Sequence, residues 1–346
     1  MKKKCVTMLL ITIMTASLAG CGSSKDGSGK SVKLDPDHPV SLTIWHYYNG
    51  AQQAMFDILV KEFNASVGKE EGIYVESYSQ GSVSDLEEAV NSSLNGEVGA
   101  EELPDIFSSY SDTAYAVQQQ DKLADLSVYF TEDELSRYVD SYIQEGYFNQ
   151  DGALYLFPVA KSTEITMINK TDWEPFAEAT GTTVDELATT EGITEVAQRY
   201  YEWTDEQTPD VPDDGKAFYG RDSMSNYFII GMKQMGKEIF QVKDGKMILN
   251  TDEDLIRRLW DNYYVPYMKG YFASLGKFRS DDVKTGDILA YTGSTSSAVY
   301  FPDTVEKENE SYPIDYIVCD SPVMEGGENI KVQQGAGMAV TKSDEE

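Results

Sequence analysis

The chain has 346 residues, 41% of them hydrophobic and 12% aromatic, which excludes a disordered polypeptide and exceeds what a single core usually holds. Its 59 acidic against 28 basic residues give a formal charge of −31, a field that keeps a surface solvated and repels nucleic acid and anionic lipid. With only His38 and His46, neither a His-based catalytic triad nor a His-rich zinc site can be assembled, and no cofactor or metal is implied.

At the N-terminus Lys2, Lys3 and Lys4 precede an almost uncharged apolar run from Val6 to Ala19, the charge pattern of a signal peptide over residues 1–20. The run is shorter than the ~20 residues that a spanning helix needs. It ends in Leu18-Ala19-Gly20-Cys21, which resembles the bacterial lipobox, in which the cysteine sulfur is acylated and cleavage occurs before it. Cys21 is therefore expected to carry lipid and to hold the protein at the outer face of the cell membrane. Cys5 leaves with the signal, so Cys319 has no intrachain partner and is expected to be a small buried hydrophobe. Residues 21–39, rich in Gly, Ser, Lys and Asp, read as a lipidated cysteine and flexible tether. Gly29-Lys30-Ser31 lacks the first glycine and the preceding strand that a phosphate-binding loop requires.

Beyond the tether, Val40 to Trp45 predicts a strand and Ala51 to Asn64 a helix, with Ala54, Met55, Ile58, Leu59 and Phe63 as its apolar face. A strand over Ile73 to Tyr78 and a helix over Ser84 to Leu94, capped by Ser84 with Glu87, come next. Pro104 to Phe107 forms a third strand, and Ala114 to Val117 belong to a further helix. Such alternation points to an α/β lobe with a largely parallel sheet. Asp151-Gly152 sets a turn before extended stretches at Ala153 to Val159 and Glu164 to Asn169. Helical patterns then lie near Ile193 to Trp203, Tyr227 to Met235 and Leu255 to Met268, the last capped by Asp252 and preceded by a hairpin over Phe240 to Leu249. Tyr312 to Val318 and Gly337 to Thr341 are strand-like, and Ser343 to Glu346 read as the start of another helix. The expected organisation is residues 40–150 with 319–346 as the first lobe and 151–318 as the second, the chain being a C-terminally truncated copy that lacks closing helices.

Taken in order, several segments resemble the extracellular solute-binding proteins of family 1, which serve ABC importers and include the maltose-binding proteins. They are the lipobox and tether, Leu42 to Trp45 with its polar-aromatic loop, Pro104 to Phe107, Gly152 to Pro158 followed by Met167 to Lys170, Gly286 to Ser294, and Gly335 to Val340. The resemblance implies a type II periplasmic-binding fold of two α/β lobes with the ligand between them, acting as a monomer with permease subunits as partners and no catalysis. It implies a carbohydrate ligand, an oligosaccharide in the first place, whose apolar faces stack on aromatic rings and whose hydroxyls pair with planar polar groups. Carried over residue by residue, it proposes Trp45, Tyr47, Tyr48 and Asn49 after the first strand, Ser109, Tyr110 and Asp112 after the third, Lys161 and Ser162, and finally Gly293, Ser294 and Thr295. Asp112 equally suits a helix cap, and the basic residue that often follows it is here Thr113. Ser294 and Thr295 stand where maltose-binding members place a stacking Trp, which argues against a maltose-like ligand. Tyr227 and Tyr300 are assigned to the core. Three alternatives stay open: an iron or polyamine binder using Tyr47-Tyr48 and acidic groups, a glycosidase built on two carboxylates, and an adhesin without a small ligand.

Overall fold

The computed structural model describes residues 34–149, 151–244 and 246–343. The signal segment, Cys21, most of the tether and the C-terminal capping box beyond Ser343 lie outside the described residues. No described helix is long and apolar enough to cross a membrane.

In the first lobe, β1 (Val40–His46) runs parallel to β2 (Ile73–Ser79) along its whole length and to β3 (Ile106–Ser109) at its end. The helices α1 (Gly50–Ala65), α2 (Val83–Leu94) and α3 (Ser111–Gln118) follow these strands in turn. Trp45, Phe107, Leu86, Val90, Ala114 and Val117 close the core between the sheet and α2 and α3. Ser82, two residues before the serine expected from sequence, caps α2 by accepting from the Asp85 amide at 3.2 Å.

The rotation of α1 departs from expectation. Met55, Ile58 and Leu59, read as its core face, are exposed, and none of its residues is fully buried. Tertiary contacts fix that rotation. Phe56 meets the His46 ring edge-on at 4.8 Å, and the Asn64 side chain both donates to and accepts from the Val75 backbone at 2.8 Å. An amide that replaces two strand hydrogen bonds anchors a helix face more firmly than a partly buried methyl stripe.

The first lobe also takes β4 (Phe157–Pro158). The second begins at β5 (Glu164–Asn169), followed by α4 (Lys170–Thr180), α5 (Thr190–Asp205), β6 (Tyr219–Arg221) and α6 (Met224–Gln234). A hairpin of β7 (Phe240–Lys243) and β8 (Lys246–Leu249) leads to α7 (Glu253–Asp261), capped by Asp252, and α8 (Tyr264–Met268), so the single helix expected over 255–268 is two. Then come α9 (Arg279–Thr285), β9 (Ala290–Ser294), a hairpin of β10 (Thr304–Lys307) and β11 (Glu310–Pro313), and β12 (Tyr316–Asp320). Its sheet has the order β12-β5-β9-β6, with Trp173, Phe176, Ile193, Val196, Tyr200 and Phe218 packed on one face. Cys319 is half-buried against that core, where burial pushes its thiol up. The chain ends its circuit in β13 (Gly337–Val340), which returns to the first sheet between β3 and β4, antiparallel to both.

Both lobe boundaries expected from sequence are displaced. Leu154, Tyr155 and Leu156 are buried in the first lobe and Phe157 pairs with β13, so the first crossing falls after Pro158 and not at 150/151. Asp320 still pairs with β5 and Met324 packs against Tyr227, so the return crossing falls near Val332 to Gly335 and not at 318/319. The physical reason is the same in each case: large apolar side chains past the turn are drawn into the nearest core, and the chain crosses only where the side chains become small or polar.

Candidate functional site

A cleft of about 810 Å³ lies between the lobes. Tyr47, Asn49, Gln52 and Tyr110 line it from the first lobe, and Asp222, Ser223, Asn226, Phe278, Ser294 and Tyr300 are among the residues facing them from the second. Each wall is made where a strand ends and a helix starts. The β1–α1 loop brings Tyr47 and Asn49, Tyr110 stands at the N-cap of α3, and Ser223 caps α6 by accepting from the Asn226 amide at 3.2 Å. The lobes already touch at the rim, where the Tyr300 hydroxyl donates to the Asn49 carbonyl at 3.2 Å and the Gln52 amide reaches the Ser296 carbonyl at 3.4 Å.

The floor is a polar relay. Glu164, 5% exposed, accepts from Arg221, 7% exposed, at 2.6 Å and from the Asn226 side-chain amide at 3.1 Å. Asn226 also donates to Gln334 Oε1 at 3.1 Å, so its amide is held in one orientation between β5 and the returning crossing segment. Arg221 completes its surroundings over the Tyr227 ring, 5.2 Å from the centroid. Tyr227 itself is core, as expected. Beside the relay, burial raises the Asp222 carboxyl, partly offset by the Arg279 backbone amide that donates to it at 3.0 Å. A Cβ on Gly293 would collide with that carboxylate and approach the Tyr291 ring at 2.9 Å, so glycine at the end of β9 makes room for Asp222. Burial likewise pushes the Tyr47 and Tyr110 phenols up, each partly offset by a hydrogen bond to the backbone at Ala336 and Gly335 respectively.

Of the residues proposed from sequence, Tyr47, Asn49, Tyr110 and Ser294 line the cleft. The others are placed elsewhere. Trp45 is buried in the first-lobe core, because its position in β1 points to the α2–α3 side. Tyr48 turns away to pack on His46 and Phe56, and burial pushes its phenol up to about 12. Ser109 is buried and donates to the Tyr110 carbonyl at 2.8 Å, while Asp112 is an exposed residue of the first turn of α3 that accepts from the Thr113 amide at 2.8 Å. Lys161 is a buried strut that bonds Glu145 and the Gly335 carbonyl, both at 2.6 Å, and Ser162 pairs with Gln334 through the backbone in both directions. Thr295 joins the crossing at Thr163 and Gly293 sits behind Asp222. Conversely, Tyr300, assigned to the core from sequence, lines the cleft. Asp222, Ser223 and Asn226 follow the three-residue β6 and were not proposed from sequence, because so short a strand gives no periodic signal that would place the loop after it. Among the described residues no group of three or more His, Cys, Asp or Glu is placed to hold a metal ion.

One buried group couples the cleft loop to pH. His46 has no exposed surface, its Nδ1 accepts from the Tyr48 amide at 3.2 Å, and its Nε2 has no hydrogen-bond partner among the described residues. Burial lowers its pKa from the ordinary 6.5, against a smaller raising effect of Asp57. The folded state therefore holds the neutral ring while the unfolded chain takes up a proton below 6.5, so its contribution is complete above that pH and declines as pH falls toward the folded pKa. In urea titrations between about pH 7 and pH 5, His46→Phe is expected to lose less stability than the wild type. Equal losses would show that His46 is not the group responsible.

Comparison with known proteins agrees with this architecture. The family described as bacterial extracellular solute-binding protein matches residues 59–346. No curated protein sequence matches. Among solved structures, an ABC substrate-binding protein from Listeria monocytogenes in complex with cycloalternan is similar with a TM-score of 0.67 at 18% identity, over 88% of this chain and 72% of that one. UgpB from Mycobacterium tuberculosis in complex with glycerophosphocholine is similar with a TM-score of 0.67 at 18% identity, over 88% and 70%. The galacto-N-biose-/lacto-N-biose I-binding protein of a Bifidobacterium longum ABC transporter, in complex with lacto-N-biose, gives 0.65 at 15% identity, over 90% and 72%. At these identities the likeness is one of fold, and the matched family covers most of the sequence. The chain belongs to the bacterial extracellular solute-binding proteins.

Proposed function

We propose that this protein is the substrate-binding lipoprotein of an ABC importer, capturing an extracellular carbohydrate by lobe closure and delivering it to membrane permease subunits. The observation that carries the carbohydrate reading is the lining of the 810 Å³ cleft, which combines the rings of Tyr47, Tyr110, Phe278 and Tyr300 with the amides of Asn49, Asn226 and Gln334 and the carboxylate of Asp222. Rings offer faces to sugar C–H groups, and fixed amides and carboxylates take hydroxyls, with no covalent step. The paired-tyrosine iron site is disfavoured because Tyr48 packs on Phe56, leaving only Tyr47 of the pair in the cleft. Closure would pivot on the two crossing segments that meet at Ser162 and Gln334. Lipid on Cys21, with residues 22–39 as the tether, would keep the cleft within reach of the transporter.

A thermal-shift screen tests the ligand class, since a ligand bound only by the folded state raises the melting temperature. Oligosaccharides are expected to raise it while spermidine, ferric iron and glycerophosphocholine do not. A rise with one of those three and none with sugars overturns the carbohydrate reading. In cells grown with labelled palmitate the wild type is expected to take up label and Cys21→Ser is not, and equal labelling of the two would refute the anchor at Cys21.

A further inference from the structure

A second cavity of about 480 Å³ opens on the second lobe and shares Asp222 and Lys277 with the interlobe cleft. Its size alone falls within the ~300–1,000 Å³ of ligand pockets. Trp260, Tyr264 and Tyr267 make one wall. They stand at helical spacing across α7 and α8, and the Trp260 and Tyr264 rings are stacked at 4.6 Å with 28° between their planes. The three side chains are 49%, 43% and 41% exposed, so they are not spent on the core. Phe228 and Met224 from α6 also line it, and Ser274, Lys277 and Asp222 supply polar groups, the last two shared with the cleft. Contiguous exposed rings rimmed by polar groups mark a contact surface.

We propose that this cavity is a second carbohydrate subsite, which takes the end of a chain too long for the interlobe cleft and makes the protein select extended oligosaccharides over short ones. The inference rests on the carbohydrate reading of the cleft. Trp260 and Tyr264 supply the stacking surface, and Asp222 and Lys277 are the shared border across which the ligand passes. Every residue of the subsite belongs to the second lobe, so it is formed before closure and holds the ligand on one wall while the first lobe swings in.

The test compares disaccharides with hexasaccharides of the malto- and xylo-series by calorimetric titration of the full chain. Trp260→Ala is expected to weaken hexasaccharide binding about tenfold, equivalent to about 1.4 kcal/mol, and to leave disaccharide binding unchanged. Trp260→Phe, which keeps a ring, is expected to restore most of the difference. A direct readout is available in the wild type. Trp45 and Trp173 are buried and Trp203 is half-buried, so iodide quenching of the chain's four tryptophans reports mainly on Trp260. Hexasaccharides are expected to protect it and disaccharides are not. The proposal is overturned if wild type and Trp260→Ala bind hexasaccharides equally, or if the variant loses both lengths alike. A wild type that binds neither length in either series, together with a thermal shift from none of the sugars screened above, overturns the carbohydrate reading and the subsite with it.

Discussion

Glu164→Ala is expected to destabilise the protein by about 3–5 kcal/mol, because it strands a charge that the fold has buried. Glu164 is the ion-pair partner of Arg221 at 2.6 Å, and Arg221 Nε already lacks a hydrogen-bond partner among the described residues. Deleting the carboxylate removes the ion pair and leaves the guanidinium its contact with the Tyr227 ring, which is worth about 0.5–2 kcal/mol and falls short of the desolvation cost. Glu164→Gln should cost less, since it keeps an acceptor for both Arg221 and Asn226. The double replacement Glu164→Leu with Arg221→Met should recover much of the loss in stability, because removing both charges removes the penalty. It should not recover ligand binding, since Asn226 would then be oriented by Gln334 alone. The check is the urea midpoint of each variant at an unchanged m-value. A single Glu164→Ala change that stays within about 0.5 kcal/mol of wild type would show that the pair is solvated and that the floor of the cleft is softer than argued.

Gly335→Val is expected to cost about 3 kcal/mol or more and to alter the angle between the lobes. Gly335 has φ of +99°, a conformation that costs a branched residue about 1–3 kcal/mol by itself. Its Cβ would also stand 2.6 Å from the Ala160 carbonyl oxygen and 3.1 Å from the Lys161 Cα, both on the other crossing segment, whose backbone cannot yield as a flexible side chain would. The two segments are coupled by more than the Ser162–Gln334 bridge. Lys161 donates to the Gly335 carbonyl, and Glu145 receives both Lys161 at 2.6 Å and the Gln333 amide at 2.9 Å. Pushing Gly335 away from Ala160 therefore breaks the network that holds the buried Lys161 ammonium at the pivot. Chemical denaturation measures the stability loss, and small-angle scattering of the unliganded protein measures the shape. Wild-type stability together with an unchanged radius of gyration would remove Gly335 from the pivot.

Local events were readable from contiguous residues. Strand and helix positions such as Glu164–Asn169 and the start of α7 at its Asp252 cap followed from periodicity and capping, which are properties of contiguous residues. The aromatic loop after β1 and Tyr110 after β3 came from the resemblance to the solute-binding family, and they lie where an open α/β sheet presents its loops to a cleft, at a strand end feeding a helix. Tertiary structure decided everything that depends on a distant partner. The face that α1 presents was chosen by His46 and Val75, not by its own methyl stripe. Neighbouring tyrosines were divided, Tyr47 to the cleft and Tyr48 to Phe56, because rotation at a strand end is set by whichever ring is already there. Glu164, Asn226 and Gln334 meet across separations of 62 and 108 residues, and Tyr300 reaches Asn49 across 251. No spacing along the chain encodes such meetings, since they exist only once two separately packed lobes have been brought face to face by their crossing segments.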